Sequence, residues 1–391
     1  MLTDELIQTV RNAVDERRIV ETARALVDIP SPTRSAGEVA DKLAEILSHD
    51  GFEVERPETD WPEAPAVVTR VDSGADGRTL QFDGHLDTVH LPFSASDIVD
   101  GNLTGSGASD MKGGVAAFVE ALRILRDGQL PKAGSVLMTA HDHHEGPWGD
   151  KRQLKALIRD GYVGDAVMFP EYLATSLPLR GRGMSIFRAT FERDGDPVHE
   201  VLLPAYLPMV NAAGSDFLLE MQKLNEVLGD RSTGPSRETV FTGQIQGGEI
   251  YNQAPASCLV AGTRRWTTSG AGEEVLAEVR GTAEKVAERH GVQLDFQYSI
   301  QGDAFTVSDD APIVEAFQSA YAGVVGEPLA LGEKPFLDDG NIMNEFAGIP
   351  PITHGPDAKG AHTLEESVPV SELVRVAEVY ALTAIGFCSG T

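Results

Sequence analysis

The sequence predicts an α/β protein in two parts: a larger α/β domain with helices on both faces of a mixed sheet, interrupted by an inserted βαββαβ domain of ferredoxin-like type. Three observations lead there. Helix-like and strand-like segments alternate up to about residue 179, the pattern of a sheet with helices on its faces. Over residues 180–300 the order becomes strand, helix, strand, strand, helix, strand, the split βαββαβ arrangement. Alternation then returns over 301–391. A chain of 391 residues is long for a single core. The expected domains are therefore 1–179 with 301–391, and 180–300 between them.

The elements follow in chain order. SAGEVADKLAEILSHDG, residues 35–51, reads as a helix. Ser35 with Glu38 three residues on makes a capping box. Val39, Leu43, Ile46 and Leu47 form its apolar stripe, and Gly51 stops it. Strands are expected at about 66–72, 79–85, 134–140 and 165–169, with helices at about 111–126 and 151–160. In the inserted part, GMSIFRATFE, ETVFTGQIQGG, SCLVAGTRRWTT and VQLDFQYSI read as strands. NAAGSDFLLEMQKLNEVLG and AGEEVLAEVRGTAEKVAERHG read as helices. A last helix is expected at about 371–387.

Composition removes several function classes. A net charge of −28 disfavours nucleic acid and anionic membrane, which recruit clustered Lys and Arg. The hydrophobic fraction of 41% suffices for a globular fold. No apolar run approaches the ~18 residues that span a bilayer. Only Cys258 and Cys388 are present, too few for a disulfide framework. MLTDELIQTVRNAVDERR is charged throughout and lacks the apolar core of a secretion signal. A cytoplasmic location is expected.

Four apolar segments end in residue types that bind metal. TLQFDGHLDTVH carries His85 and Asp87; SVLMTAHDHHE carries His141, Asp142, His143, His144 and Glu145; DAVMFPEY carries Glu171; IPPITHGPDAKGAHTLEE carries His354 and His362. In open α/β sheets the carboxyl ends of strands line the ligand crevice, so these distant segments are expected to meet. Imidazole and carboxylate together suit zinc, cobalt or manganese. In GHLDTV, residues two apart on a strand share a face. Asp87 is then placed to accept a hydrogen bond from His85 and fix its tautomer. GSGASDMKGG sets Asp110 ahead of a helix, where one carboxylate can bridge two cations. A nucleotide P-loop is excluded because GxxxxGK[ST] is absent.

On these residues the sequence resembles the dinuclear zinc amidohydrolase and exopeptidase family of acetylornithine deacetylase, succinyl-diaminopimelate desuccinylase, aminoacylase and carboxypeptidase G. GHLDTV, GSGASDMKGG, MFPEY, GGEIYNQAP, RRWT and GAHTLEE occur in that family's order over nearly the whole chain. The resemblance implies one metal on His85, Asp110 and Glu171, and a second on Asp110, a residue of the 141–145 cluster, and His362. Asp87 would orient His85. The inserted part would be the lid and dimerisation domain of a homodimer. Its His199 would reach the partner's site to stabilise an oxyanion, and Asn252 and Arg265 would bind the substrate's carboxylate.

The stretch HDHHEG departs from the family, which has two adjacent glutamates there, a general base and then a ligand. Pairing His144 with Glu145 makes Glu145 the ligand and His144 the base. Anchoring on Gly146 and Gly149 selects His143 and His144 instead; anchoring on Thr139 selects Asp142 and His143. The first keeps a carboxylate on the metal and is preferred. Imidazole serves as a general base near neutral pH.

The expected function is metal-dependent hydrolysis of an amide or related C–N bond in a small N-acyl amino acid or dipeptide-like carboxylate. The cofactors would be two divalent cations, zinc first and cobalt or manganese as alternatives. Two other readings stay open: a different C–N substrate such as an aryl amine on the same scaffold, or a non-catalytic metal-binding relative.

Overall fold

The computed structural model describes residues 2–231 and 236–390. The chain forms two compact units. One comprises the chain up to Leu179 with Val307–Gly332 and the chain from Asp338 onward; the other comprises Arg180–Thr306 and Glu333–Leu337. The second unit thus runs on to Thr306 rather than 300, and takes in a short return segment that sequence patterning did not mark.

The first unit is built on a six-stranded mixed sheet. Its order is Val54–Glu55, Val67–Asp72, Ser135–His141, Thr79–His85, Ala166–Phe169 and Pro351–Thr353. The last four strands are mutually parallel, and Val67–Asp72 runs antiparallel to Ser135–His141. The central strands are buried almost throughout, which is why they read as continuous apolar runs. Helices Gly113–Asp127 and Val370–Cys388 cover one face, where Phe82 stacks on Phe118 at 4.4 Å and Phe118 meets Tyr380 at 4.6 Å. On the other face Leu154, Val167, Phe169, Ile342 and Met343 form a core that includes helix Arg152–Arg159.

Gly84 precedes His85 on its strand. A Cβ there would lie 2.8 Å from Val115 and 3.3 Å from Met111, so glycine lets the segment after Asp110 press against this strand end. The helix Gly37–His49 starts at Ala36 without a side-chain cap, so Ser35 does not make the expected capping box. Asp142 accepts the N–H groups of the preceding Arg34 at 2.8 Å and of Ala36 at 3.0 Å. A carboxylate from elsewhere in the chain thus holds the segment that leads into the helix.

The second unit contains an antiparallel four-stranded sheet ordered Thr239–Gln246, Ser257–Trp266, Gly183–Glu192 and Gln293–Gly302. Helices Val210–Arg231 and Gly272–His290 cover one face, with Phe187, Phe191, Phe217, Val260 and Val279 in the core between. This is the βαββαβ order read from the sequence. Among the described residues no helix is long and apolar enough to cross a membrane.

Candidate metal centre

Parallel neighbours end at the same edge of a sheet, so their following loops converge. His85 closes its strand, paired in register with His141. Glu171 follows Ala166–Phe169, and the loop after Pro351–Thr353 brings His362 back. Glu366, on that same loop, accepts hydrogen bonds from the Gly107 N–H at 3.1 Å, the Ser109 N–H at 3.2 Å and the Ser109 hydroxyl at 2.9 Å. It thereby ties the His362 loop to the turn that carries Asp110, a role the sequence did not suggest.

Asp110 lies at the middle of the cluster. One of its oxygens is 3.1 Å from His85 Nε2 and the other is 3.1 Å from His362 Nε2. His362 Nε2 is also 3.2 Å from Glu145 Oε1. His144 Nε2 is 3.9 Å from Glu171 Oε1, and its ring stacks on that of His85 with centroids 3.9 Å apart. The donor atoms of His85, Asp110 and Glu145 lie within 4.8 Å of one another, as do those of His85, His144 and Glu171. His85, Asp110, Glu145 and Glu171 are buried, whereas His362 is half exposed. His362 also adopts a left-handed φ of 62°, uncommon outside glycine.

The electrostatics fit cations. Burial, reinforced by Asp110, pushes the Glu171 carboxyl well above its usual range. Burial opposes charging of His85, yet Asp110, Asp87 and Glu145 hold its imidazole well above the usual value. Hydrogen bonds to Asp110 and Glu145 raise His362 to about 10. Three buried carboxylates gathered around two imidazoles need compensating positive charge. Imidazole nitrogen and carboxylate oxygen are the donors that suit zinc-like ions, so these residues fit a pair of divalent cations.

Asp87 behaves differently from expectation. The strand ends at His85, so two-residue alternation does not carry through to Asp87. The His85 Nδ1–H donates to the Asp87 backbone carbonyl at 2.9 Å, while its carboxylate oxygen stands 3.8 Å off. The carboxylate accepts the N–H groups of His144 at 3.1 Å and Glu145 at 2.9 Å. Asp87 therefore sets the His85 tautomer through its main chain and shapes the next loop through its side chain.

The five residues at 141–145 part company. His141 Nε2 lies 3.2 Å from Asp83 and 3.5 Å from Asp339. Asp142 serves the helix start described above. His143 bonds Asp150 at 3.1 Å and meets the edge of Trp61. His144 donates its Nδ1–H to Asp339 Oδ2 at 2.6 Å. Only His144 and Glu145 of the five come up to His85, Glu171, Asp110 and His362. His354 does not join: it is packed against Phe317 and Tyr321, and burial together with Arg375 holds its imidazole well below the usual value.

In the second unit, His199 and Asn252 meet. His199 Nδ1 accepts the Val201 N–H at 3.3 Å, and Nε2 lies 3.0 Å from the Asn252 amide. Arg265 is half-buried on Ser257–Trp266, and its buried Nη1 makes no hydrogen bond among the described residues. Desolvation and the nearby Arg182 lower its pKa.

The sequence profile of peptidase family M20/M25/M40 matches residues 82–385. The succinyl-diaminopimelate desuccinylase of Gluconacetobacter diazotrophicus is 28% identical over 389 residues, covering 92% of this chain and 94% of its own. That of Methylorubrum populi is 28% identical, covering 92% and 95%. Among solved structures, the aminopeptidase PepT of Bacillus cereus superposes with a TM-score of 0.82 at 20% identity, covering 96% of this chain and 99% of its own. Bacillus subtilis YXEP, a dinuclear metal-binding peptidase from the M20 family, gives 0.70 at 18% identity, covering 95% and 97%.

Proposed function

The chain belongs to peptidase family M20/M25/M40, making it a metal-dependent hydrolase of amide bonds in small acylated amino acids or peptides, and from that premise we propose how its own residues divide the work. His85, Asp110 and Glu171 would hold one divalent cation; Asp110, Glu145 and His362 would hold the other. Zinc is the first choice, with cobalt or manganese as alternatives. Bound there, the cations supply Lewis acidity toward the scissile carbonyl and acidify water.

The remaining steps belong to the protein. His144 Nε2 takes the proton of the attacking water and returns it to the leaving amine. Asp87 keeps the His144–Glu145 backbone in place for this. His199 stabilises the developing oxyanion, worth about 3–4 kcal/mol if it acts like other oxyanion donors. Arg265 and Asn252 receive the substrate's carboxylate, for which the uncommitted Arg265 Nη1 is suited. Val201, Leu202, Tyr206, Ile250 and Tyr251, close to His199 or Asn252 in sequence, are exposed. A second copy covering that patch would form a homodimer. The two free, buried thiols accord with a cytoplasmic location.

The observation that carries this reading is Asp110, with an imidazole 3.1 Å from each oxygen. The substrate is read as an N-acyl amino acid or dipeptide-like carboxylate. The test combines metal analysis with a panel of N-acyl amino acids and dipeptides, each also as its carboxamide. Two cations per chain, amine release, and about tenfold or greater loss on amidation are expected. Bound cations with no turnover across the panel would overturn the substrate class; absence of bound cation would overturn the whole reading.

A further inference from the structure

The cluster behind His144 holds groups that the steps above do not use. Asp339 is buried at the start of a short helix, Asp339–Ile342. One of its oxygens, Oδ2, accepts the His144 Nδ1–H at 2.6 Å. The other, Oδ1, pairs with Lys151 Nζ at 3.1 Å. Lys151 also donates to the His144 backbone carbonyl at 2.8 Å. One ammonium thus holds both the backbone of His144 and the carboxylate that grips its ring. On the far side, His141 Nε2 sits 3.5 Å from Asp339 Oδ2 and 3.2 Å from Asp83, which itself accepts the Thr139 hydroxyl.

A simple buried ion pair would be complete with Asp339 and Lys151. Here the second oxygen is committed to the imidazole, and the distance of 2.6 Å is that of a charge-assisted hydrogen bond. With its proton on Nδ1, the ring presents the Nε2 lone pair on the side of Glu171, where a base is required.

We propose that Asp339 is the positioning residue for His144. Together they form a carboxylate–imidazole pair that stands where a lone glutamate base is usual, with Lys151 as the clamp that fixes the pair's geometry. This rests on His144 acting as the base. In the reaction Asp339 neither gains nor loses a proton; it fixes the tautomer and orientation of the ring while Nε2 accepts the water proton and releases it to the amine.

The test uses zinc-loaded protein. In histidine ¹⁵N-labelled wild type, long-range ¹H–¹⁵N spectra should show the neutral His144 ring protonated at Nδ1; a proton on Nε2 would overturn the proposal without any variant. Asp339→Asn offers an amide whose N–H₂ can face Nδ1 and favour the wrong tautomer. It should lower kcat by about 10²–10⁴-fold, with zinc content unchanged and KM within about twofold. Asp339→Glu, which keeps the carboxylate, should recover part of kcat. Unchanged kcat in Asp339→Asn, or loss of zinc in parallel with kcat, would overturn it. Should Asp339→Asn not fold, the wild-type spectrum and Asp339→Glu still decide. His144→Ala separates the two layers: if it keeps turnover, the base assignment itself fails. If it loses turnover while Asp339→Asn does not, only the role of Asp339 fails.

Discussion

The loop over residues 141–151 and the loop around 199–206, which meets Asn252, each carry histidine, and they treat it in opposite ways. In the first, charged groups are buried and bound to one another: His141 to Asp83, His143 to Asp150, His144 to Asp339, and Lys151 to Asp339. In the second, His199 is tethered by one backbone N–H and one amide, and apolar side chains near it in sequence are exposed. Tyr206 and Tyr251 are 95% and 99% exposed. Burial makes a polar network rigid but demands that every member find a partner. An exposed apolar surface around a polar pair is a surface waiting for a cover. The first region carries its own preorganisation; for the second, the proposal is that a second copy supplies it.

This contrast breaks or sharpens at four points. The largest effect is expected for His85→Ala. It removes the imidazole beside both Asp110 and His144, so cation binding and turnover should fall together, turnover by about 10³-fold or more. Full activity with an intact metal content would reject His85 as a ligand. Next comes His144→Ala, expected to lower kcat by about 10²–10⁴-fold while the cations stay. Parallel loss of one cation would make His144 a ligand and move the base elsewhere.

His199→Ala probes the second region. Metal content should not change, and kcat should fall by about 10²–10³-fold. If the covering surface is a second copy, Tyr206→Asp should produce monomers by light scattering and reproduce much of the His199→Ala loss. Unaltered size and rate would leave the exposed patch without a role in the reaction.

The smallest effect concerns stability. Burial opposes charging of His141, but Asp83 and Asp339 outweigh it and raise its pKa to about 9. Unfolded histidine titrates near 6.5. The stabilisation from charged His141 is therefore fully present below about pH 6.5 and is lost as pH rises through about 9. The melting temperature of wild type should exceed that of His141→Gln most at pH 6 and least near pH 9.5. A gap independent of pH would mean that His141 is not held as a cation.

Much of this architecture was written in local pattern. The strands expected at 79–85 and 165–169 appear as Thr79–His85 and Ala166–Phe169, and the helix expected at 371–387 as Val370–Cys388. Their apolar periodicity spans the whole element, so burial and propensity agree. The end-of-strand His, Asp and Glu residues were also visible, because unpaired ionisable groups after an apolar run need an explanation. Ser35 misled, since a capping box is a local signal and Asp142, from a distance, fixes the backbone of Arg34 and Ala36 on either side of it.

The sequence by itself determined the two-part α/β plan, the family motifs, and which residue types crowd the ends of the central strands. Tertiary structure alone decided which of the five residues at 141–145 turns toward Glu171 and Glu145's neighbours, and which turns away. It also brought Asp339 to His144 across 195 positions of chain, and turned the Asp87 carboxylate from His85 to the amides of the next loop. The reason is physical. Periodicity encodes which side of an element is buried, whereas a hydrogen-bond partner beyond the strand end is chosen by the directions in which separate loops leave the sheet, and no local pattern carries those directions.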